Sequence, residues 1–333
     1  MKKAGLLSFS DRGRELAVRI AETLSADHVT ECAEPRGNLA EITAKLFAEC
    51  DALVFVGACG IAVRAIAPCV VSKTSDPAVI VVDERGQHVI SLLSGHIGGA
   101  NELTVRIASA IGAEPVITTA TDVNKRFSVD AWAAKQGLLI DSMDIAKLFS
   151  AEILKRDLPF CSDLPAEGPL PAGLYEANSG DLGASVSVST KEPFRKTLRL
   201  VPVCLHLGIG CKRGTAADQI RSMVDSTLAE HNIDPRAVRA MASIDVKSDE
   251  PGLLAFADEF GIPARFFSAE ELQKVQGDFS ASSFVQSKVG VDNVCERAAM
   301  LSAGEGAELM IQKTAMNGIT VAVAQENRRI RFE

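Results

Sequence analysis

Three segments repeat one order of residues: an apolar run, a cluster of glycines, then a stretch with helical spacing. They are Leu53-Val-Phe-Val-Gly-Ala-Cys-Gly60, Leu92-Leu-Ser-Gly-His-Ile-Gly-Gly99 and Leu205-His-Leu-Gly-Ile-Gly-Cys-Lys-Arg-Gly-Thr215. Glycine lets backbone N–H groups approach a ligand, and the following helix presents its positive dipole end. Such a loop favours phosphates or carboxylates. The candidate ligand-holding residues are Gly57, Gly60 and Arg64 in the first segment. In the second they are Ser94, Gly95, Gly98, Gly99 and Asn101. In the third they are Gly208, Gly210, Lys212, Arg213, Gly214 and Thr215. Lys73, close before Asp76-Pro77, is a further candidate contact or part of a solvated turn. For any single glycine loop, a tight turn is the competing reading.

None of the three matches a nucleotide motif. The third is Gly-x-Gly-x-x-x-Gly, one residue longer than the dinucleotide fingerprint, and lacks the Lys-Ser/Thr ending of a P-loop. The second is not Gly-x-Ser-x-Gly, so Ser94 has no nucleophile-elbow signature. His96 sits between Gly95 and Gly98. It is a candidate general acid or base near neutral pH, or else a backbone cap. Glu250, in Asp249-Glu-Pro-Gly252, is a reserve acid/base, although a helix dipole also explains an acidic residue there. Positive charge at Lys212-Arg213, before a helix, opposes the dipole, which favours carboxylate binding.

No Cys-x-x-Cys or His-x-x-x-His pattern joins the eight cysteines and five histidines. No protein-bound metal is expected, and the cysteines read as reduced thiols.

The elements that carry these segments alternate between strand and helix. Ala4–Phe9, Leu53–Val56, Ala78–Val82, His88–Leu93 and Pro115–Ile117 read as strands. Arg12–Leu24, the stretch opened by Asn38 and Glu41, and Asn101–Ile111 read as helices. The expectation is an α/β fold of two α/β domains with mainly parallel sheets. Residues 1–124 form the first, 125–200 a small α+β middle domain or connector, and 201–333 the second. In such sheets, glycine loops lie at the carboxyl ends of the strands, where ligands bind. The middle region shows helical stretches at Val129–Lys135 and Met143–Leu154 and a strand over 184–189.

Composition narrows the function. The chain has 333 residues, 47% hydrophobic and 23% charged, enough for several packed cores. Net charge is −8, with one Trp and one Tyr. That opposes nucleic-acid binding, which needs a basic face and stacking platforms. No stretch has the length of a membrane span, and Ala4–Phe9 is too short for a secretory core. A cytoplasmic protein is expected.

Longer runs carry a family resemblance. Gly60-Ile-Ala-Val-Arg-Ala-Ile-Ala-Pro68, Lys73-Thr-Ser-Asp-Pro77, Val81-Val-Asp-Glu84 and Leu92-Leu-Ser-Gly-His-Ile-Gly-Gly-Ala-Asn101 resemble the N-terminal signature of the cobalt-precorrin-5A hydrolases. These are the G-type proteins of anaerobic cobalamin biosynthesis. Gly208-Ile-Gly-Cys-Lys-Arg-Gly-Thr215, Ser243-Ile-Asp-Val-Lys247, Asp249-Glu-Pro-Gly-Leu-Leu254 and Val289-Gly-Val-Asp-Asn-Val-Cys-Glu296 resemble the C-terminal one. Arg297 departs from the family's usual Cys-Glu-Pro and is expected to change a local turn.

The resemblance implies hydrolysis of the ring A acetate δ-lactone, with loss of C-20 and its methyl as acetaldehyde. The cobalt is then carried by the corrinoid substrate, and no separate cofactor is implied. His96 becomes the first candidate for the general base. Gly98 and Gly99 N–H groups become candidates for holding the lactone oxyanion. The family setting also leaves room for transient contacts with neighbouring pathway enzymes and for a homo-oligomer. The C-terminal signature also resembles small stand-alone proteins of the aerobic pathway. A non-catalytic corrinoid carrier is therefore the alternative function.

Overall fold

A computed structural model describes residues 3–24, 28–33, 38–72, 75–280 and 290–332. The chain divides into two compact units, Met1–Ala134 with Ile153–Lys155, and Lys135–Glu152 with Arg156–Glu333.

The first unit is built on a six-stranded sheet. Its strands are β1 (Lys3–Ser8), β2 (His28–Ala33), β3 (Ala52–Val56), β4 (Ala78–Val82), β5 (His88–Leu93) and β6 (Glu114–Val116), in the order β2-β1-β3-β4-β5-β6. Strands β1 to β4 are parallel; β5 runs against β4, and β6 follows β5. Helices α1 (Asp11–Thr23), α2 (Leu39–Glu49), α3 (Cys59–Ile66) and α4 (Ala100–Ile111) cover the sheet. The period of two along each strand explains why both faces need cover. Leu6, Val54 and Ile80 pack with Leu16 and Ile20 of α1 and Ile107 of α4. Their neighbours Leu7, Phe55 and Val81 pack with Leu46 of α2 and Ile66 of α3. Ser10 and Asn38 cap α1 and α2, each accepting an N–H three residues on. After β6 come α5 (Ala120–Val123) and α6 (Val129–Gln136).

The second unit holds two five-stranded sheets. The first contains β7 (Leu138–Ile140), β8 (Leu158–Ser162), β10 (Leu174–Glu176), β11 (Leu182–Val186) and β12 (Lys196–Pro202), with α7 (Met143–Glu152). Its strands are parallel except β7. The short β9 (Ala166–Glu167) pairs with β18 (Ile330–Arg331). The second sheet has the order β15-β14-β13-β17-β16. These are β13 (Leu205–Cys211), β14 (Val238–Ile244), β15 (Ala264–Phe267), β16 (Glu308–Met316) and β17 (Ile319–Gln325). Helices α8 (Ala217–Glu230) and α9 (Pro251–Phe260) lie over a core that includes Leu207, Ile209, Met241 and Val323. α10 (Ala269–Lys274) and α11 (Cys295–Ala303) supply Leu272 and Ala298 to another cluster with Ala242 and Ile244.

An ion network joins the middle sheet to the C-terminal one. Asp234 accepts from Arg199 of β12 at 2.5 Å and from Arg236 at 2.6 Å; Arg236 also reaches Asp141, beyond β7, at 2.5 Å. Burial raises the Asp234 pKa, but its bonds to Arg236 and Arg199 outweigh that and hold it at about 2.

Three expectations need correction here. Gly208 and Gly210 do not lie in a loop; they lie inside β13. The reason is space. A Cβ on Gly208 would sit 1.7 Å from the Cys295 carbonyl oxygen of α11, and one on Gly210 would sit 2.6 Å from Thr320 Oγ1 of β17. The strand expected at 184–189 is β11, shifted to begin at Leu182. Arg297, expected at a turn, lies in a helix. It stands in the first turn of α11, where an N–H needs no helical partner. Its guanidinium binds Asp292 at 2.9 Å and the Val275 carbonyl at 2.8 Å, and stacks on Phe279. Among the described residues, no helix is long and apolar enough to cross a membrane.

Candidate functional site

The reversal of β5 decides where His96 lies. Val79 stands opposite Leu93 and Val82 opposite Val89, so β5 ends at the edge where β3 and β4 begin. β6 ends at that edge too. Gly57 and Gly60 follow β3 and therefore lie at the opposite edge. The two N-terminal glycine segments, expected at one edge of a parallel sheet, are separated by the sheet. At its own edge, Gly57 donates its N–H to Val82 O at 2.8 Å. The exposed Arg64 folds back to the Gly60 carbonyl at 3.4 Å. Lys73 lies outside the described residues.

The chain turns sharply after β5. Ser94 takes a left-handed φ of 55°, unusual for a residue with a side chain. It is buried, and its hydroxyl finds no hydrogen-bond partner among the described residues. Gly98 lies directly on it: a Cβ at Gly98 would sit 2.5 Å from Ser94 Cβ. Gly99, with φ 80°, starts α4. Its N–H donates to the His96 carbonyl at 2.9 Å, so that N–H serves the turn and not an oxyanion. The tight turn throws His96 across towards α5 and α6.

There the imidazole is held from both sides. Nε2 lies 2.7 Å from Asp122 Oδ2 and 3.3 Å from Thr121 Oγ1. Nδ1 lies 3.1 Å from Ser128 Oγ and 3.4 Å from Asp130 Oδ1. Ser128 donates to Asp130 at 3.0 Å, which leaves its oxygen to accept from Nδ1. The bond to Asp130 raises the His96 pKa, burial opposes it, and Asp122 adds to the rise. The doubly protonated ring is the form that satisfies both sides.

Asn101, buried in the first turn of α4, ties the cluster together. Its Nδ2 donates to Asp122 Oδ2 and to Thr119 Oγ1, both at 3.0 Å, and its Oδ1 accepts from Ser91 at 2.6 Å. Gly95 makes room for it: a Cβ there would lie 2.7 Å from Asn101 Oδ1. Gly98 and Gly99 also wall a cavity of about 620 Å³, together with Ala78, Asp51 and Arg106. That volume is within the range of small-molecule sites.

The third segment forms a separate group in the second unit. Glu250 is 1% exposed. One oxygen accepts the Gly214 N–H at 2.7 Å and the other the Lys247 ammonium at 3.0 Å. The Gly214 bond, then Lys247, lowers its pKa. A buried carboxylate so engaged clamps a loop; it has no oxygen open for acid/base work. Arg213 is exposed and binds Asp249 at 3.0 Å and the Val246 carbonyl at 2.8 Å. The Lys212 stem lies over Gly318, and Thr215 Oγ1 donates to the Lys212 carbonyl at 2.7 Å.

The structure thus gathers Ser94, Gly95, His96, Gly98, Gly99 and Asn101, and adds residues that sequence reasoning missed: Thr119, Thr121, Asp122, Ser128 and Asp130. A signal existed for the first three. Thr118-Thr-Ala-Thr-Asp122 is a polar run just after an apolar strand, the position from which α/β sheets present ligand contacts. Among the described residues, no group of three or more His, Cys, Asp or Glu is arranged to hold a metal.

Comparison with known proteins shows the following. Residues 41–122 match the family model described as cobalamin synthesis G N-terminal, and residues 205–324 match the one described as cobalamin synthesis G C-terminus. The cobalt-precorrin-5A hydrolase of Salmonella typhimurium is 36% identical over 307 residues, 86% of this chain and 85% of that one. The enzyme of the same name from Priestia megaterium is 33% identical over 86% of this chain and 82% of its own. Protein CobE of a Sinorhizobium species is 35% identical over 121 residues, 36% of this chain and 79% of that protein.

Proposed function

This chain belongs to the cobalamin synthesis G family, and from that premise we propose that it hydrolyses cobalt-precorrin-5A to cobalt-precorrin-5B and acetaldehyde. The observation that carries the reading is the 36% identity, across most of both chains, to a relative of that activity. The polar cluster around His96 supports it with groups suited to proton transfer.

The reaction has two stages. Water adds to the lactone carbonyl carbon, and the acyl C–O bond breaks. The acetate carboxyl is freed, and the C-20 oxygen takes a proton to become a hydroxyl. That hydroxyl then loses its proton, and its electron pair forms the carbonyl of acetaldehyde. The bond from C-20 to the ring breaks, and its electrons pass to the macrocycle, which takes up the proton. One water is consumed and no oxidant or reductant is needed.

In this reading the cobalt arrives with the substrate, and the chain supplies binding and proton transfer. The exposed cations Lys212 and Arg213 attract the ring's fringe of carboxylates against the net charge of −8. The test is an anaerobic incubation with cobalt-precorrin-5A, trapping acetaldehyde and following the corrinoid by mass. Acetaldehyde in stoichiometric amount, from catalytic protein, is the expected outcome. A corrinoid that binds and stays unchanged would instead make the chain a carrier.

A further inference from the structure

Resting on the hydrolase reading, we propose that Asp122 is the catalytic base and that His96, Asn101 and Asp130 are its positioning residues. Asp122 takes the proton of the attacking water, returns it to the departing C-20 oxygen, and takes it again as the carbon–carbon bond breaks.

A histidine acts as a base only through a nitrogen with a free lone pair. Both nitrogens of His96 face acceptors, Asp122 on one side and Ser128 with Asp130 on the other. Doubly protonated, the ring has no lone pair to offer. It is also mostly enclosed, with 16% of its side chain exposed.

The two carboxylates beside it differ. Asp130 on α6 is 10% exposed, and its Oδ1 already receives Ser128. Asp122 on α5 is 37% exposed. Its bonds from His96 and Asn101 converge on one oxygen, Oδ2. That anchors the carboxylate through Oδ2, and Oδ1 receives neither donor. Of the two carboxylates that flank the ring, Asp122 is the one that substrate and water can reach. Val123, 63% exposed, sets apolar surface beside Asp122, which suits contact with the substrate's ring.

The proposal reverses the pH dependence expected of a histidine base. The charged groups facing His96 are Asp122 from α5 and Asp130 from α6, and both favour its protonated form. Turnover therefore needs the protonated ring that orients Asp122. It falls when pH climbs through the raised pKa of His96 and the ring can no longer donate to both sides. A histidine base would instead gain activity through that same titration.

The experiment measures single-turnover acetaldehyde release, corrinoid binding and thermal melting for the wild type, D122N, D122E and D130N. D122N is expected to bind and melt like the wild type while its rate falls by about 10²–10⁴-fold. D122E should recover part of that rate. D130N should move the alkaline limb to lower pH, a shift that a purely structural role would not produce. Wild-type turnover in D122N, or a wild-type rate that rises through the histidine titration, overturns the assignment and leaves the hydrolase intact. No acetaldehyde from the wild type overturns the hydrolase reading and the assignment with it. Should D122N fail to fold, the wild-type pH profile decides.

Discussion

At Ser94–Gly99 the glycines follow a strand that has ended; at Leu205–Thr215 two of the three stand inside one. The first set lets the chain turn back on itself, with Gly98 against Ser94 and Gly99 at a φ of 80°. The second set lets α11 and β17 approach β13 more closely than any Cβ would allow. The carboxylates of the two regions divide in the same way. Asp122 has both its bonds on one oxygen and stays partly open to solvent. Glu250 has a donor on each oxygen and is buried. Similar residue types thus build a partly open polar cluster in one unit and a closed joint in the other.

Substitutions should separate the two. Gly208→Ala is expected to cost about 3 kcal/mol or more, because the methyl meets backbone at 1.7 Å and backbone cannot rotate away. Urea unfolding measures this, and a near-normal midpoint would mean that α11 can shift. E250Q should cost about 3 kcal/mol by leaving the enclosed Lys247 ammonium without its counter-charge. Its effect should fall on stability and substrate affinity, with kcat retained. A hundredfold loss of kcat at unchanged melting temperature would return Glu250 to acid/base work and dissolve the contrast with Asp122.

Acid titration tests the second unit's ion network. Asp234 ionises at about 2 when folded, below its ordinary 3.8. Its contribution, about 2 kcal/mol, is full above pH 4 and is lost as pH falls towards 2. In an Asp234→Asn protein that increment of acid sensitivity should be missing from the pH dependence of unfolding. The smallest effect is expected at Gly99→Ala. Nothing lies within 4 Å of the new methyl, so only the left-handed backbone resists, at about 1 kcal/mol. A loss as large as that of Gly208→Ala would show that the two glycine sets are not different in kind.

Much of this was legible before folding. The strands Leu53–Val56 and Ala78–Val82 announced themselves as unbroken apolar runs because both their faces are covered. His96 stood out because glycines flank it. Asp130 did not, since a lone carboxylate on a short helix looks like an ordinary solvated residue, and Asp122 was marked only by its place in a polar run after a strand. Gly208 and Gly210 misled because a glycine required by a neighbouring backbone and a glycine required by a turn are written identically. The partner that distinguishes them, Cys295, lies far along the chain.

Sequence was enough for the α/β class and for the family, because strand and helix periodicities are local and long signatures survive in order. Tertiary structure alone decided which edge of the sheet His96 occupies. That follows from one reversed strand, and strand direction depends on pairing between distant segments. It also decided that the ring lies between two carboxylates, which raise its pKa, and that Asp122 is the more exposed of the two. Protonation answers to neighbours within a few ångströms, and those neighbours come from β5, α4, α5 and α6 only once the chain has folded.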